Sequence, residues 1–423
     1  MSRHAKIFIG LITGALTGVA SNFLFPDAEV LKIVQTYVSD PLGKIFLNLL
    51  IMMVIPLVFA SLALGVSQIG DLKKLGRIGF RTISYFFLVT TLAVTLGLVL
   101  VNSIRPGDYL QGETKTQLLS TYGEQATEIK ETSEKTEFGI QTLVNIVPRN
   151  PFAAIAKPNP EMLALIFVSL MIGIALTMID KSKAEPLVKL LAGINDVTIV
   201  IINIAMKLAP FGVAALIFSV TSRFGFELLI ALGMYMITVL SGLMILLFGI
   251  FSILIKVFAR YSPILFFKKV QTVMMTAFST SSSSATLPTT ISVSQQNLGI
   301  PSQITGFVLP LGATMNMNGT ALFEGVTVLF LAQVFGIELS LVVQIIVVLM
   351  SVLTAIGAAG VPSGSIPLLA IVLAMVNVPV EGIAIILGAD RLLDMCRTTL
   401  NVTGDITCSA YIARSEGYEL KTD

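Results

Sequence analysis

The stretch MMTAFSTSSSSATLPTT, residues 274–290, is where the chain's apolar pattern fails to become an ordinary membrane span. An apolar run that starts after Pro263 reaches Phe278 and meets the hydroxyl cluster of residues 279–284. It then resumes for too few residues to cross a bilayer before a new apolar helix opens near residue 299. The interruption recurs at IGAAGVPSGSIPLL, residues 356–369: residues 341–357 are apolar, 358–365 break the run, and Ile366 to Val376 follow. Non-helical backbone is tolerated at membrane depth only where protein or water covers it. Two broken segments flanking one span therefore predict re-entrant hairpins whose tips meet at a site. The competing reading is two ordinary spans kinked by small residues, which are common at helix contacts.

Outward from these breaks the chain is apolar almost throughout. Of its 423 residues 55% are hydrophobic and 12% charged, with a mean hydropathy of +0.89, whereas globular domains carry roughly 25% charged residues. Long apolar segments at 6–25, 42–69, 80–104, 139–180, 192–220 and 226–257 precede the first break, the fourth with room for a break near Pro158 or Pro160. Each approaches or exceeds the roughly 20 residues a spanning helix needs, so the solvent is a lipid bilayer. Arg3, His4 and Lys6 precede the first run, but that run outlasts a secretory signal core and many spans follow it.

The charges orient the chain. Lys73, Lys74, Arg77 and Arg81 follow the second span, Lys181, Lys183 and Lys189 the fourth, and Lys256, Arg260, Lys268 and Lys269 the sixth. Basic loops stay in the cytoplasm, which places the N-terminus inside and the glutamate-rich linker 105–137 outside; with an even number of spans the C-terminus is cytoplasmic as well. The net charge of +2 is spread over short loops rather than a stripe, so no nucleic acid is expected as a partner. Cys396 and Cys408 lie within an apolar segment and indicate neither a disulfide framework nor a metal cluster.

The last span carries the densest chemistry. Asp394, Arg397, Thr398, Asn401 and Asp405 follow i, i+3, i+4, i+7, i+11 and share one helix face, with Asp390 on it and Arg391 at its edge. Each charge at a helix centre costs about 2.5–3.5 kcal/mol, so the cluster needs partners or an aqueous cavity. Both signs mixed with uncharged hydrogen-bonders suit a zwitterionic ligand; mutually satisfied ion pairs locking helices together are the structural alternative. In the preceding span Asn316-Met317-Asn318-Gly319-Thr320 predicts unwinding that frees carbonyl oxygens for a hard cation. Ser281 to Ser284 offer hydroxyls and backbone N–H groups suited to a carboxylate. Enzyme chemistry is not expected: the only histidine is His4, no Ser-His dyad can form in the membrane, and no GxxxxGK[ST] sequence occurs. A channel would predict polar stripes on several helices, whereas polarity here converges on one half of the chain.

At these residues the sequence resembles the glutamate/aspartate transporter family, the dicarboxylate/amino acid:cation symporters, in the form of prokaryotic sodium/aspartate symporters. The resemblance rests on Ser281 to Pro288 (SSSSATLP), Asn316 to Leu322 (NMNGTAL), Ala359-Gly360-Val361-Pro362 and Asp394 to Asp405 (DMCRTTLNVTGD). Val147 to Phe152 and Pro56 to Leu62 add to it, and nearly the whole chain is covered except the linker. It implies an all-α membrane protein with eight transmembrane helices plus two re-entrant helical hairpins, built as inverted repeats and working as an elevator-type homotrimer in the cell membrane. Residues 1–77 and 138–222 would form the scaffold (helices 1, 2, 4 and 5). Residues 78–137 would supply transport-domain helix 3 and the linker, and 223–423 the rest of the transport domain.

The resemblance also implies roles. Asp394 would take the ammonium of aspartate or glutamate, Arg397 and Thr320 its side-chain carboxylate, and Asn401 with Ser283 and the backbone of Ser281 and Ser282 its α-carboxylate; Thr398 lines the same site, and Gly360 and Val361 close the lid. One co-transported sodium would sit among Gly312, Asn316, Asn401 and Asp405, another among carbonyls of Thr314, Ala355, Ile356 and Ala358. A third sodium site of the family is degenerate here. Asn318 replaces its aspartate, Phe86 and Val89 replace a tyrosine and a threonine, and Thr90 with Asn316 is what remains. Ser281 stands where archaeal relatives carry an arginine, and Arg391 is expected to supply an equivalent charge.

Overall fold

A computed structural model describes residues 3–25, 29–53, 55–56, 59–60, 63–64, 67, 77–110, 147–155, 162–356 and 364–422. Among these residues every regular element is a helix. The first half comprises α1 (Arg3–Leu24), α2 (Glu29–Val34), α3 (Asp40–Ile51), α4 (Arg77–Ile104), α5 (Pro151–Ile155), α6 (Met162–Met178) and α7 (Lys181–Met244), with a π-helical turn Gln35–Ser39 joining α2 to α3. The second comprises α8 (Phe251–Val257), α9 (Pro263–Thr280), α10 (Ser283–Gln296), α11 (Ser302–Met315), α12 (Asn318–Val334), α13 (Leu341–Ile356), α14 (Ser365–Met375) and α15 (Ile383–Ser415).

Length and apolarity suit three helices to cross a membrane, Arg77–Tyr109, Leu228–Val257 and Ser302–Val334, and a bent pair, Lys181–Ile202 with Lys207–Arg223, makes a fourth. The sequence separates spans at 192–220 and 226–257, and Leu228–Val257 stands as a span of its own apart from Lys207–Arg223, although the helical backbone of α7 continues from Lys181 to Met244. Its 64 residues would measure about 96 Å if straight, far beyond a bilayer, and a bend of 55° near residues 202–207 turns the chain instead. The expected break near Pro158 and Pro160, most of the linker, and the tip residues Ala358, Gly360 and Val361 lie outside the described residues.

Two packing units emerge. α1 lies along α7 with glycines at every fourth position: a Cβ on Gly10 or Gly14 would sit 2.3 or 2.4 Å from a backbone oxygen of Pro210 or Ala214, so the backbones meet directly. The second unit centres on α12 and α15. α12 is buried along nearly its whole length, with α4, α13, α14 and α15 packed around it. α15 contacts α7, α9, α10, α11 and α12, and its polar residues are covered by these neighbours rather than by lipid.

The first sequence interruption is a break in helix, and most of the second lies outside the described residues. α9 ends at Thr280, Ser281 adopts a left-handed φ of 49°, and Ser282 caps α10 by accepting a hydrogen bond from Ala285 N at 3.1 Å. The hydroxyls of Thr280 and Thr286 lie 3.0 Å apart across the turn. Between α11 and α12 the backbone leaves the helix at Asn316 (φ −110°, ψ 67°) and Met317 (φ −100°, ψ 55°) and regains it at Asn318, so the unwinding is shorter than the motif suggested. α13 stops at Ile356 and α14 starts at Ser365.

Candidate functional site

α15 runs past the break in α11–α12 with its predicted face turned toward it. Asp394, Arg397, Thr398, Asn401 and Asp405 are all buried. Arg397, 1% exposed, donates from Nη2 to Asp390 Oδ1 at 2.8 Å and to Asp394 Oδ1 at 3.0 Å. Its Cζ lies 3.8 Å from the centre of the Phe323 ring, so the guanidinium is held at one corner by two carboxylates and on one face by an aromatic. Nε and Nη1 find no hydrogen-bond acceptor among the described residues. Arg391 Nη1 stands 3.4 Å from Asp394 Oδ2, so a second cation borders the same carboxylate.

One turn further along α15, Asn401 bridges to the unwound segment. Its Oδ1 accepts from Gly319 N at 2.7 Å, and its Nδ2 lies 3.3 Å from both Thr320 Oγ1 and Met317 Sδ. Asp405 Oδ1 accepts from Asn316 Nδ2 at 2.8 Å. A Cβ at Gly312 would fall 2.4 Å from that same Asp405 oxygen, so only glycine lets α11 come this close. Gly312, Asn316, Asn401 and Asp405 are therefore neighbours, a carboxylate and two amide oxygens at a break that exposes backbone carbonyls, and the Oδ1 of Asn316 accepts no hydrogen bond among the described residues. That donor set is hard and oxygen-rich, which fits a hard cation.

For the other expected ion position, Thr314 spends its hydroxyl on Leu311 O at 3.0 Å, Ala355 and Ile356 end α13, and α11 touches α13, while Ala358 is not described. Ser281, Ser282 and Ser283 are buried at the hairpin tip, and α9 and α10 both lean on α15. Where the degenerate third site was expected, Thr90 Oγ1 donates to Asn318 Oδ1 at 2.7 Å, and Phe86 and Val89 are buried beside them on α4. The side chains at these four positions thus present an uncharged hydrogen bond and no carboxylate.

Sequence reasoning passed over Glu324. It is fully buried on α12 and its Oε2 accepts from Thr354 Oγ1 of α13 at 2.7 Å, while Oε1 has no partner among the described residues. The signal was available: Glu324 is the one charged residue between Ser302 and Val334. Phe323, under Arg397, and the buried Tyr235–Thr327 hydroxyl pair at 2.8 Å carried no such mark, because aromatics and threonines are ordinary in apolar helices.

A family model described as sodium:dicarboxylate symporter family matches residues 4–415, which defines the class as a multi-pass membrane transporter. The chain belongs to that family. It is 37% identical over 414 residues to the proton/sodium-glutamate symport protein of Geobacillus stearothermophilus, covering 97% of this chain and 94% of the relative. To the Bacillus subtilis protein of the same description it is 38% identical over 415 residues, with 97% and 92% covered. The proton/glutamate-aspartate symporter of Escherichia coli is 34% identical over 412 residues, again with 97% and 92% covered.

Proposed function

We propose that this protein is a secondary active symporter that carries aspartate or glutamate across the cell membrane with sodium, using fewer sodium ions than relatives with an intact third site. The observation that carries the substrate class is the buried Asp394–Arg397 pair, one helical turn apart, with two guanidinium nitrogens left over. An acidic amino acid satisfies both charges. A C4-dicarboxylate brings no ammonium to Asp394, and a neutral amino acid no second carboxylate to Arg397; either mismatch costs a few kcal/mol, on the order of 10²-fold in affinity.

In this reading Arg397 and Thr320 take the side-chain carboxylate and Asp394 the ammonium. Asn401, Ser283 and the backbone of Ser281 and Ser282 take the α-carboxylate, with Thr398 beside them and Gly360 and Val361 as the lid. Sodium is cargo at Gly312–Asn316–Asn401–Asp405 and at the carbonyls of Thr314, Ala355, Ile356 and Ala358. The Thr90–Asn318 hydrogen bond supports the absence of a third. Family likeness supports an elevator-type homotrimer with residues 1–77 and 138–222 as scaffold, 78–137 and 223–423 as the transport part, and both termini in the cytoplasm.

A second reading has its own observation. Glu324 is a buried carboxyl group where α12 meets the first arm of the second hairpin, and an ionisable side chain inside a membrane span is a candidate proton carrier. Relatives described as proton/sodium symporters support proton coupling equally well. Uptake of labelled aspartate and glutamate into proteoliposomes, with sodium, proton and potassium gradients imposed one at a time, separates the two. Sodium-driven, saturable uptake with counterflow exchange is expected; uptake driven by the proton gradient alone would replace the sodium reading, and non-saturable flux would overturn transport in favour of a channel.

A further inference from the structure

The hairpin α9–α10 has its serine tip at one end and its two roots, near Pro263 and Gln296, at the other. Beyond α15 the chain turns at Gly417 (φ 90°) and runs back over these roots. Lys421 N donates to Leu298 O at 3.0 Å, and Lys421 O accepts from the Tyr261 hydroxyl and from Lys269 Nζ, the latter at 2.8 Å. Lys421 Nζ reaches Gln296 O at 3.2 Å, and Asn297 Nδ2 donates to Lys269 O at 3.0 Å, closing one arm on the other. Leu420 is buried beneath this crossing. Gly299, at φ 71°, leaves no room for a side chain, because a Cβ there would lie 2.8 Å from Lys421 Cγ. Just upstream, Glu416 accepts from Arg77 Nε at 3.0 Å and Arg81 Nη1 at 2.9 Å, which ties the same segment to the start of α4.

The geometry points to a strap. We propose that residues 416–422 pin the roots of the first hairpin, so that Tyr261 and Lys269 are positioning residues for the serine tip and the hairpin is a fixed wall of the site. The inference rests on the transport reading of that site. The physical reason is leverage. The 18 residues of α9 span about 27 Å, so a tilt of about 5° at the roots moves the tip by about 2 Å, enough to break its hydrogen bonds to a ligand. The second hairpin, α13–α14, is rooted differently: Gln344 Nε2 donates to Leu339 O at 3.0 Å and Val378 N to Leu373 O at 2.9 Å, both local turns, with Asn102 of α4 donating to Gln344 Oε1 at 2.8 Å. Residues 102–108 pass beside that root, with Gly107 N donating to Gln333 Oε1 at 3.0 Å, but among the described residues the chain's last ones do not reach it.

The test compares the wild-type protein with deletion of residues 418–423 and with Tyr261→Phe. Hydrogen exchange across 263–299 is followed against 302–334, and aspartate uptake is measured in proteoliposomes. The deletion is expected to speed exchange in 263–299 about tenfold with 302–334 unchanged, and to raise KM for aspartate about tenfold with the maximal rate little altered. Tyr261→Phe, which keeps the ring and loses one hydrogen bond, is expected to shift both in the same direction by about fivefold. Wild-type exchange at 263–299 in Tyr261→Phe, equal acceleration in 302–334, or a fall in maximal rate at unchanged KM would each overturn the strap. A wild-type protein that binds no acidic amino acid would overturn the transport reading, while the exchange measurement still decides the strap.

Discussion

The two hairpins use one backbone device, a helix broken before it can span, and build it from opposite materials. The first has a hydroxyl tip with a capped turn, arms that alternate buried Val270 and Val273 with exposed Ile264 and Met275, and roots tied by directed hydrogen bonds to the chain's last residues. The second has arms of Leu, Ile and Val, with residues 365–373 wholly buried, and one deep polar tie, Thr354 to Glu324. Directed bonds hold a geometry, whereas apolar packing is non-directional and permits sliding at little cost. The difference teaches that two interruptions of the same kind need not be held alike: the proposed strap would fix the first hairpin and leave the second to packing.

The largest expected effect tests that asymmetry directly. Gly360→Trp in the second tip should abolish aspartate uptake while the protein remains monodisperse and folded, whereas Met275→Trp, on an outward-facing position of the first hairpin, should leave uptake within about twofold. Normal uptake by the first variant would remove the second hairpin as the gate. Arg397→Thr comes next. Losing the buried cation from beside Asp390 and Asp394 should weaken aspartate binding by about 10²–10³-fold and favour small neutral amino acids, read by competition against labelled aspartate.

Glu324→Gln probes the buried polar tie between α12 and the second hairpin. If that carboxylate carries the proton, uptake driven by a proton gradient disappears and its pH profile flattens, with sodium-driven uptake retained; an unaltered pH profile excludes Glu324 from coupling. Restoring the third ion position with Asn318→Asp, Phe86→Tyr and Val89→Thr should steepen the slope of log affinity for aspartate against log sodium toward one more ion, as measured by calorimetry at several sodium concentrations. A wild-type slope already as steep as the triple variant would refute the degenerate site.

The smallest effect belongs to the strap's surface charge. Arg77 holds the Glu416 carboxyl below the usual carboxylate range by hydrogen bonding and charge, and a carboxylate with a depressed folded value contributes stability that is present above its unfolded value and lost as pH falls through the folded one. Thermal midpoints of wild type and Glu416→Gln should therefore differ slightly at neutral pH and converge as the medium is acidified below about pH 4; an equal difference at both would place the effect outside this ion pair.

Much of this was legible without coordinates. A chain with so few charges needs lipid, serine and Gly-Pro clusters cannot continue a helix through it, and five polar residues at helical spacing fall on one face whatever lies opposite. Asn318, Phe86 and Val89 were readable as well, since they differ from a known pattern at known positions. What the sequence could not give is pairing across distance. The meeting of Glu324 with Thr354, of Phe323 with Arg397, and of Lys421 with Leu298 depends on how helices far apart in the chain pack, and no local period encodes it. Nor did composition reveal the 55° bend near residues 202–207, because a helix can bend inside an apolar run whose hydropathy does not change. Local chemistry fixes which groups cannot face lipid, through the cost of desolvating them. Tertiary packing alone decides which partner relieves that cost.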